Sequence, residues 1–302
     1  MVKSVLIAGG TGLIGRAVAD SLHEAGYAVR LLSRREDPSS PYPVFHWDEV
    51  KADSNAFRDL YAAINLAGAG IADKPWTAAR KQEIIRSRVD SHRLLIAKMR
   101  EISLPKVYVS AGAIGFYGHR GEEWLDETSP AGNGFLSRSC QIWEEAVHES
   151  FPREVRPVIF RIGVVLSTQG GALGKMMGPW RCGVSTILGS GDQWYSWIHV
   201  RDLARLFQFA LEKETMKGIF NATSPRPERM ATLAEELHAR NPSMWKWKIP
   251  VPGIGLSAIL GEMASVVTDS SRVSSKKIQD LGFKFQYPDL TAALDNLIGS
   301  GR

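Results

Sequence analysis

The stretch Val5-Leu-Ile-Ala-Gly-Gly-Thr-Gly-Leu-Ile-Gly15 constrains the fold of this chain more than any other. A short apolar run of the buried-strand type leads into a glycine-rich turn, and a helical pattern starts directly after it. Leu13, Ile14, Ala17, Val18 and Leu22 recur at helical spacing, and Gly26 stands where a helix C-terminus takes a residue of positive φ. The glycines read as Gly9-x-x-Gly12-x-x-Gly15 and equally as Gly10-x-Gly12-x-x-Gly15. In such a turn Gly12 leaves room for a pyrophosphate, Gly15 lets helix pack closely on strand, and the helix N-terminus faces the phosphates. A glycine pattern alone is a weak signal, and a purely structural tight turn is the competing explanation. Its place between a predicted strand and a predicted helix favours a dinucleotide site.

The chain continues as alternating strands and helices. Tyr27–Leu32 is a second strand, with Ser33 and Arg34 at its C-terminal edge about 20 residues beyond the glycines. An acidic residue there suits the ribose 2′-hydroxyl of NAD, whereas a hydroxyl and a cation suit the 2′-phosphate of NADP; a solvated basic loop is the alternative. Val44–Trp47 is a third strand, with Asp48 at its tip near an adenine edge. Tyr61–Leu66 is a buried strand ending in Leu66, Ala67 and Gly68, small enough for a ribose to approach. Thr77 caps a helix reaching about Arg100 that carries Glu83 and Arg88. Five residues apart, these two are rotated by about 140° and share no stripe, so spacing alone makes both surface charges.

Lys106–Ser110 is a further strand, whose terminal Ser110 faces the crevice of an open α/β sheet. Tyr117 follows in a glycine-bounded loop, then a helix over Phe135–Glu149 and a strand over Pro157–Ile162. From about residue 167 glycines interrupt every element, and Trp180, Trp194, Tyr195, Trp197 and His199 crowd together as ligand platform or core. A strand at Gly218–Ala222 and helices around 229–240, 254–267 and 289–298 complete the chain. Lys246 and Lys248 flank Trp247 as an exposed alternating strand. The expected architecture is α/β: a doubly wound parallel sheet over residues 1–166 and a smaller mixed α/β lobe over 167–302, with interleaved elements.

Composition narrows the function classes. A net charge of +5 is scattered over 302 residues without a Lys/Arg block, which argues against nucleic acid or a membrane surface as partner. No apolar run approaches the length of a transmembrane helix. Cys140 and Cys182 form no disulfide framework and suit a reducing compartment. With no charged-then-apolar leader before the first strand, a cytoplasmic location is expected. No metal is expected.

Several stretches together resemble the extended and atypical short-chain dehydrogenase/reductases, the superfamily of the nucleotide-sugar epimerases. They are Gly9-Gly-Thr-Gly-Leu-Ile-Gly15, Asn65-Leu-Ala-Gly68, Ser110 and Ile198-His-Val-Arg-Asp-Leu-Ala204. More narrowly, the chain is similar to the subgroup called epimerase family proteins. The similarity rests on Ile84-Ile-Arg-Ser-Arg88, Trp143-Glu144, Arg161-Ile-Gly-Val-Val165, Trp197-Ile-His199 and Gly282-Phe-Lys-Phe-Gln-Tyr-Pro288. The last lies in a C-terminal region peculiar to that subgroup, about 245–302. The resemblance implies a Rossmann domain holding NADP through Gly9, Thr11, Gly12, Leu13, Ile14, Gly15, Ser33, Arg34, Leu66, Ala67, Gly68, Glu83, Arg88 and Val165. It alone lifts Glu83 and Arg88 above surface charges.

The chain departs from the superfamily at its chemistry. No Tyr is followed by a Lys four residues later; Tyr117 is followed by Gly121, and Tyr195 by His199. The matching positions fall near Phe135–Leu136 and Ser139–Cys140. That lysine lowers the tyrosine's pKa and makes it a usable acid near neutral pH. Two function classes follow. One is an NADP-dependent oxidoreductase or epimerase on a small, sugar-like substrate, with Ser110 polarising a carbonyl and Tyr117 or His199 as proton donor. The other is a non-catalytic NADP-binding sensor or regulatory protein.

Overall fold

The computed structural model describes residues 2–47 and 55–299; Asp48 lies outside the described residues. Strands β1 (Ser4–Ala8), β2 (Ala28–Ser33), β3 (Val44–His46), β4 (Leu60–Asn65) and β5 (Val107–Ala113) come first. The two-residue β6 (Trp124–Leu125), then β7 (Arg156–Ile162), β8 (Val164–Leu166), β9 (Val184–Leu188), β10 (Trp194–Tyr195), β11 (Trp197–His199) and β12 (Gly218–Ala222) follow. Seven of them form one sheet in the order β12-β7-β5-β4-β1-β2-β3, with every neighbouring pair parallel.

A parallel sheet is covered on both faces, so its strands read as continuous apolar runs. In β1, Val5 and Ile7 point to one face and Leu6 and Ala8 to the other, all fully buried. On the first face Val18, Ala19 and Leu22 of α1 (Leu13–Glu24) join one core. On the second, Leu95, Ile96 and Met99 of the long α2 (Ala78–Ile102) pack with Leu6, Ala8 and Tyr108. The Thr77 hydroxyl accepts from Arg80 N–H at 3.2 Å and caps that helix. Beside α2 lies α3 (Gly134–Ser150).

Residues after 167 do not form a separate block. The helix α4 (Gly171–Arg181) stays in the C-terminal lobe, but α5 (Val200–Glu212) packs on α1 and β12 extends the main sheet beyond β7. The apolar Leu203, Leu206, Phe207 and Ala210 of α5 complete the first face's core.

The lobe has its own core of Leu166, Leu173, Trp180, Tyr195 and Trp197 with Leu233 and Leu237 of α6 (Met230–Arg240). Of the five clustered residues Trp180, Tyr195 and Trp197 are therefore core, and Trp194 and His199 are not part of this cluster. Strand β14 (Trp247–Val251), preceded by the two-residue β13 (Glu228–Arg229), runs parallel to β9 with Trp247 and Lys248 exposed. Among the described residues no helix is long and apolar enough to cross a membrane, and no group of three or more His, Cys, Asp or Glu is placed to hold a metal.

Candidate functional site

The glycine turn joins β1 to α1 at the carboxyl edge of the sheet. Gly9 takes φ +77°, and a Cβ there would lie 2.9 Å from Ala67 N and from the Leu66 carbonyl, so only glycine lets the turn touch the end of β4. A Cβ on Gly15 would come within 2.4 Å of Gly9 O and 2.6 Å of Gly10 Cα; Gly15 thus lets helix pack on turn. Gly12 differs: a Cβ would meet only Gly9 O, at 3.3 Å. Gly12 is also the N-cap of α1 and supplies no side-chain cap. The first N–H groups of the helix have no intrahelical partner, which makes this end an anion cradle.

At the end of β2 the buried Ser33 hydroxyl bonds Thr11 Oγ1 at 2.9 Å and accepts from Arg35 N–H at 3.1 Å, locking the turn to the strand edge. Arg34 is exposed, and among the described residues its guanidinium has no hydrogen bond or ion pair. Its charge still reaches Glu83. That exposed carboxylate is held below its ordinary range first by a 2.7 Å bond from Arg80 Nη1, then by the charges of Arg80, Lys74 and Arg34.

The loop after β4 is fixed from below. Asn65 Oδ1 accepts from Ala67 N–H at 3.1 Å and its amide donates to Ser91 Oγ at 3.3 Å. Arg88 donates to Ala69 O at 3.1 Å and to Ile84 O at 2.9 Å, and its Cζ would sit 3.1 Å from a Cβ on Gly68. Burial lowers the pKa of this guanidinium. Glu83 and Arg88 thus part company: one stands at the crevice rim, the other braces the Gly68–Ala69 backbone. On the far wall, Leu13 lies beneath Gly170 and Gly171, 3.8 and 3.5 Å from their would-be Cβ atoms, with Val165 O 3.5 Å from that of Gly171. Ile14 is partly buried against the core.

The three catalytic candidates bond to separate partners. Ser110 is the fourth residue of β5, not its end, because the strand runs on to Ala113. It is fully buried, and its hydroxyl donates to Ala111 O at 3.0 Å. The strand end that faces the crevice therefore carries no hydroxyl. Tyr117 is fully buried, with its oxygen 2.7 Å from Asn221 Oδ1, 2.8 Å from Asp126 O and 3.0 Å from Arg161 Nη1. Burial pushes its pKa up to about 12, with Arg161 opposing. His199 is 1% exposed; its Nδ1 accepts from Arg201 N–H at 3.1 Å as the cap of α5, and its ring lies 3.9 Å from that of Tyr287. Burial and the Arg201 charge lower its pKa to about 4.

In α3, Leu136 Cβ and Cys140 Sγ would lie 3.3 and 3.8 Å from a Cβ on Gly115, so the positions of the absent Tyr/Lys couple pack on the turn after β5. Burial lifts the Cys140 thiol to about 12.

Sequence reasoning missed Arg80, a buried cation that donates to Gly70 O at 2.5 Å as well as to Glu83. It also missed the buried pair Arg161–Glu144 behind Tyr117. The available signals were an arginine three residues before Glu83 and an ionisable residue inside an apolar strand.

Residues 5–222 match the family described as the NAD dependent epimerase/dehydratase family, and 251–297 match a domain of unknown function, DUF1731. The chain is 36% identical to an Arabidopsis thaliana protein named "Epimerase family protein SDR39U1 homolog, chloroplastic", over 96% of this chain and 85% of that one. It is 34% identical to an epimerase family protein of Staphylococcus aureus, over 98% of this chain and 99% of that one. The crystal structure of human epimerase family protein SDR39U1 with NADPH superposes with a TM-score of 0.90 at 31% identity, covering 98% of this chain and 99% of that chain. The UDP-glucose 4-epimerase of Thermotoga maritima, at 18% identity and a TM-score of 0.78 over 98% of this chain and 97% of that one, shares the fold.

Proposed function

The chain belongs to the NAD dependent epimerase/dehydratase family, and from that premise we propose that it binds NADP(H) above the Gly9–Gly15 turn and acts as an oxidoreductase or epimerase on a small, sugar-like substrate. The observation that carries the cofactor choice is Arg34, a cation without a partner among the described residues, standing at the end of β2 where a 2′-phosphate would lie. The residues present fit the group. The uncapped start of α1 and the open side of Gly12 suit a pyrophosphate, and the Leu66–Gly68 backbone, fixed by Asn65 at Ala67 and followed by the Ala69 carbonyl that Arg88 holds, leaves room for a ribose. The nicotinamide, when bound, supplies reversible hydride transfer.

Leu13 and Val165 would close the crevice to water from the lobe side, and Arg80 would hold Glu83 ionised at its rim. Support for the human relative's cofactor as this chain's own comes from the 31% identity along nearly the whole length.

A second reading is favoured by a specific observation: Ser110, Tyr117 and His199 are buried, with both hydroxyls and the His199 Nδ1 hydrogen-bonded within the fold. On that reading the protein binds NADP(H) as a sensor and transfers no hydride. Calorimetric titration with NADPH and NADH, followed by NADPH oxidation across a panel of aldehydes, ketones and keto-sugars, separates the two. Binding with NADPH turnover supports the oxidoreductase; an epimerase returns its hydride and is read instead from interconversion of sugar epimers by the cofactor-loaded protein. Binding with neither supports the sensor, and no preference for NADPH removes all three.

A further inference from the structure

At the rim of the C-terminal lobe, indole rings and guanidinium groups stack in alternation. The Arg272 guanidinium lies 4.1 Å from the ring centre of Trp124 and 4.0 Å from that of Trp194, and Arg229 lies 4.2 Å from the same Trp194 ring. These are stacking distances for a planar cation on an aromatic face. The backbone holds them there. Strand β15 (Arg272–Val273) pairs with β6 so that Arg272 stands opposite Trp124, and Ser271 N–H donates to Trp194 O at 3.3 Å. Alternation along the strand buries Ser271 and Val273 and turns Arg272 the other way.

Every charge in the group has a partner except one. Arg229 donates to both Glu122 oxygens at 2.9 and 2.8 Å and also to Asp192 O, and Glu122 takes the Trp194 Nε1–H at 2.9 Å. Glu122 lies close enough to feel the charge of Arg272, yet both its oxygens are taken by Arg229 and Trp194. Among the described residues the Arg272 guanidinium makes no hydrogen bond and no ion pair, and its Nε is buried without a partner. A cation oriented by two rings and one strand is thus left with an unused in-plane fork of N–H donors. That fork matches the two oxygens of a carboxylate or phosphate, while its stacked faces exclude approach from above or below.

We propose that Arg272, held between Trp124 and Trp194, is an oxyanion-binding site that takes a ligand through its phosphate or carboxylate group. It uses none of the dinucleotide-crevice residues and does not depend on the function proposed above.

The test titrates the full-length protein separately with inorganic phosphate and with succinate, following tryptophan fluorescence and heat. The wild type, Arg272→Met and Arg272→Lys are compared, and Arg34→Ala controls for phosphate entering the dinucleotide crevice. The expected result is saturable binding of at least one anion that survives in Arg34→Ala. It falls at least tenfold in Arg272→Met and is weakened in Arg272→Lys, which keeps the charge without the fork. Phosphate alone binding identifies a phosphate ligand, and succinate alone a carboxylate. Thermal unfolding of each variant shows that it is folded, and unchanged NADPH affinity in Arg272→Met keeps the two sites distinct. Absence of saturable binding to the wild type, or equal binding by Arg272→Met, overturns the proposal.

Discussion

The Arg161 guanidinium and the Glu144 carboxylate meet through two hydrogen bonds of 2.8 Å, with Arg161 3% and Glu144 5% exposed. The pair ties β7 to α3, and Arg161 spans the Phe116 ring at 3.4 Å while donating to Tyr117. Through Tyr117 and Asn221 the same network reaches β12. Removing one partner of a buried pair leaves a naked charge, at a cost of about 3–5 kcal/mol. Glu144→Gln is therefore expected to lower the unfolding free energy by that amount in urea titrations. Asp280→Asn, which breaks the exposed Lys276–Asp280 pair, should cost less than about 1 kcal/mol. Equal effects would contradict this ranking.

Tyr117→Phe probes the same network. Its hydroxyl serves Arg161 and Asn221, so the variant should lose about 1–3 kcal/mol of stability and keep its NADPH affinity. Should an active carbonyl substrate be found, unaltered stability with turnover down roughly 10²–10⁴-fold would instead make Tyr117 a proton donor.

Gly12 and Gly15 separate fold from binding within one turn. An alanine methyl at 15 would collide with the backbone of Gly9 and Gly10, and overpacking of that kind costs about 1–3 kcal/mol. At 12 the methyl meets only Gly9 O and otherwise stands in the cradle. Gly12→Ala is expected to melt close to the wild type and bind NADPH at least tenfold more weakly; Gly15→Ala should fall in melting temperature first. Normal NADPH binding by Gly12→Ala would place the pyrophosphate elsewhere.

Charge-assisted hydrogen bonds contribute about 1.5–3 kcal/mol each. Arg34→Ala should accordingly weaken NADPH roughly ten- to a hundred-fold and leave NADH nearly unchanged. Titration showing equal losses for both cofactors would remove Arg34 from the 2′-phosphate.

The sheet was legible because a covered parallel strand is a continuous apolar run: Val5–Ala8 and Tyr61–Asn65 needed only periodicity and glycine punctuation. The cradle was legible because Gly9, Gly12 and Gly15 state a backbone requirement directly. Ser110 misled because strand length was read from apolar residues alone, and Ala111-Gly112-Ala113, small enough to resemble a turn, are held as strand by pairing to β7. The surroundings of Tyr117 and His199 were illegible for a different reason. A tyrosine hydroxyl or an imidazole reads the same in sequence whether it faces a crevice or satisfies buried partners. Those partners, Asn221 for one and the start of α5 for the other, are set by tertiary packing.

The buried histidines also govern how stability depends on pH. His92 is fully buried with its Nδ1 2.9 Å from the Tyr108 hydroxyl, and burial lowers its pKa to about 4, as it does that of His199. In the unfolded chain a histidine takes up its proton near pH 6.5. Between about 6.5 and 4 the unfolded state therefore binds more protons than the native one, and stability falls as pH falls. The slope is about 1.4 kcal/mol per pH unit for each histidine, fading above pH 6.5. Asp269 and Glu228, whose carboxyl pKa values burial raises, oppose this at the acid end because the native state protonates them earlier. His199→Asn isolates one contribution, since asparagine can still cap α5. Urea unfolding between pH 5 and 6.5 should show a slope smaller by about one proton in the variant than in the wild type, whatever its absolute stability. Identical slopes would mean that His199 takes up its proton in the native protein over the same pH range as in the unfolded chain.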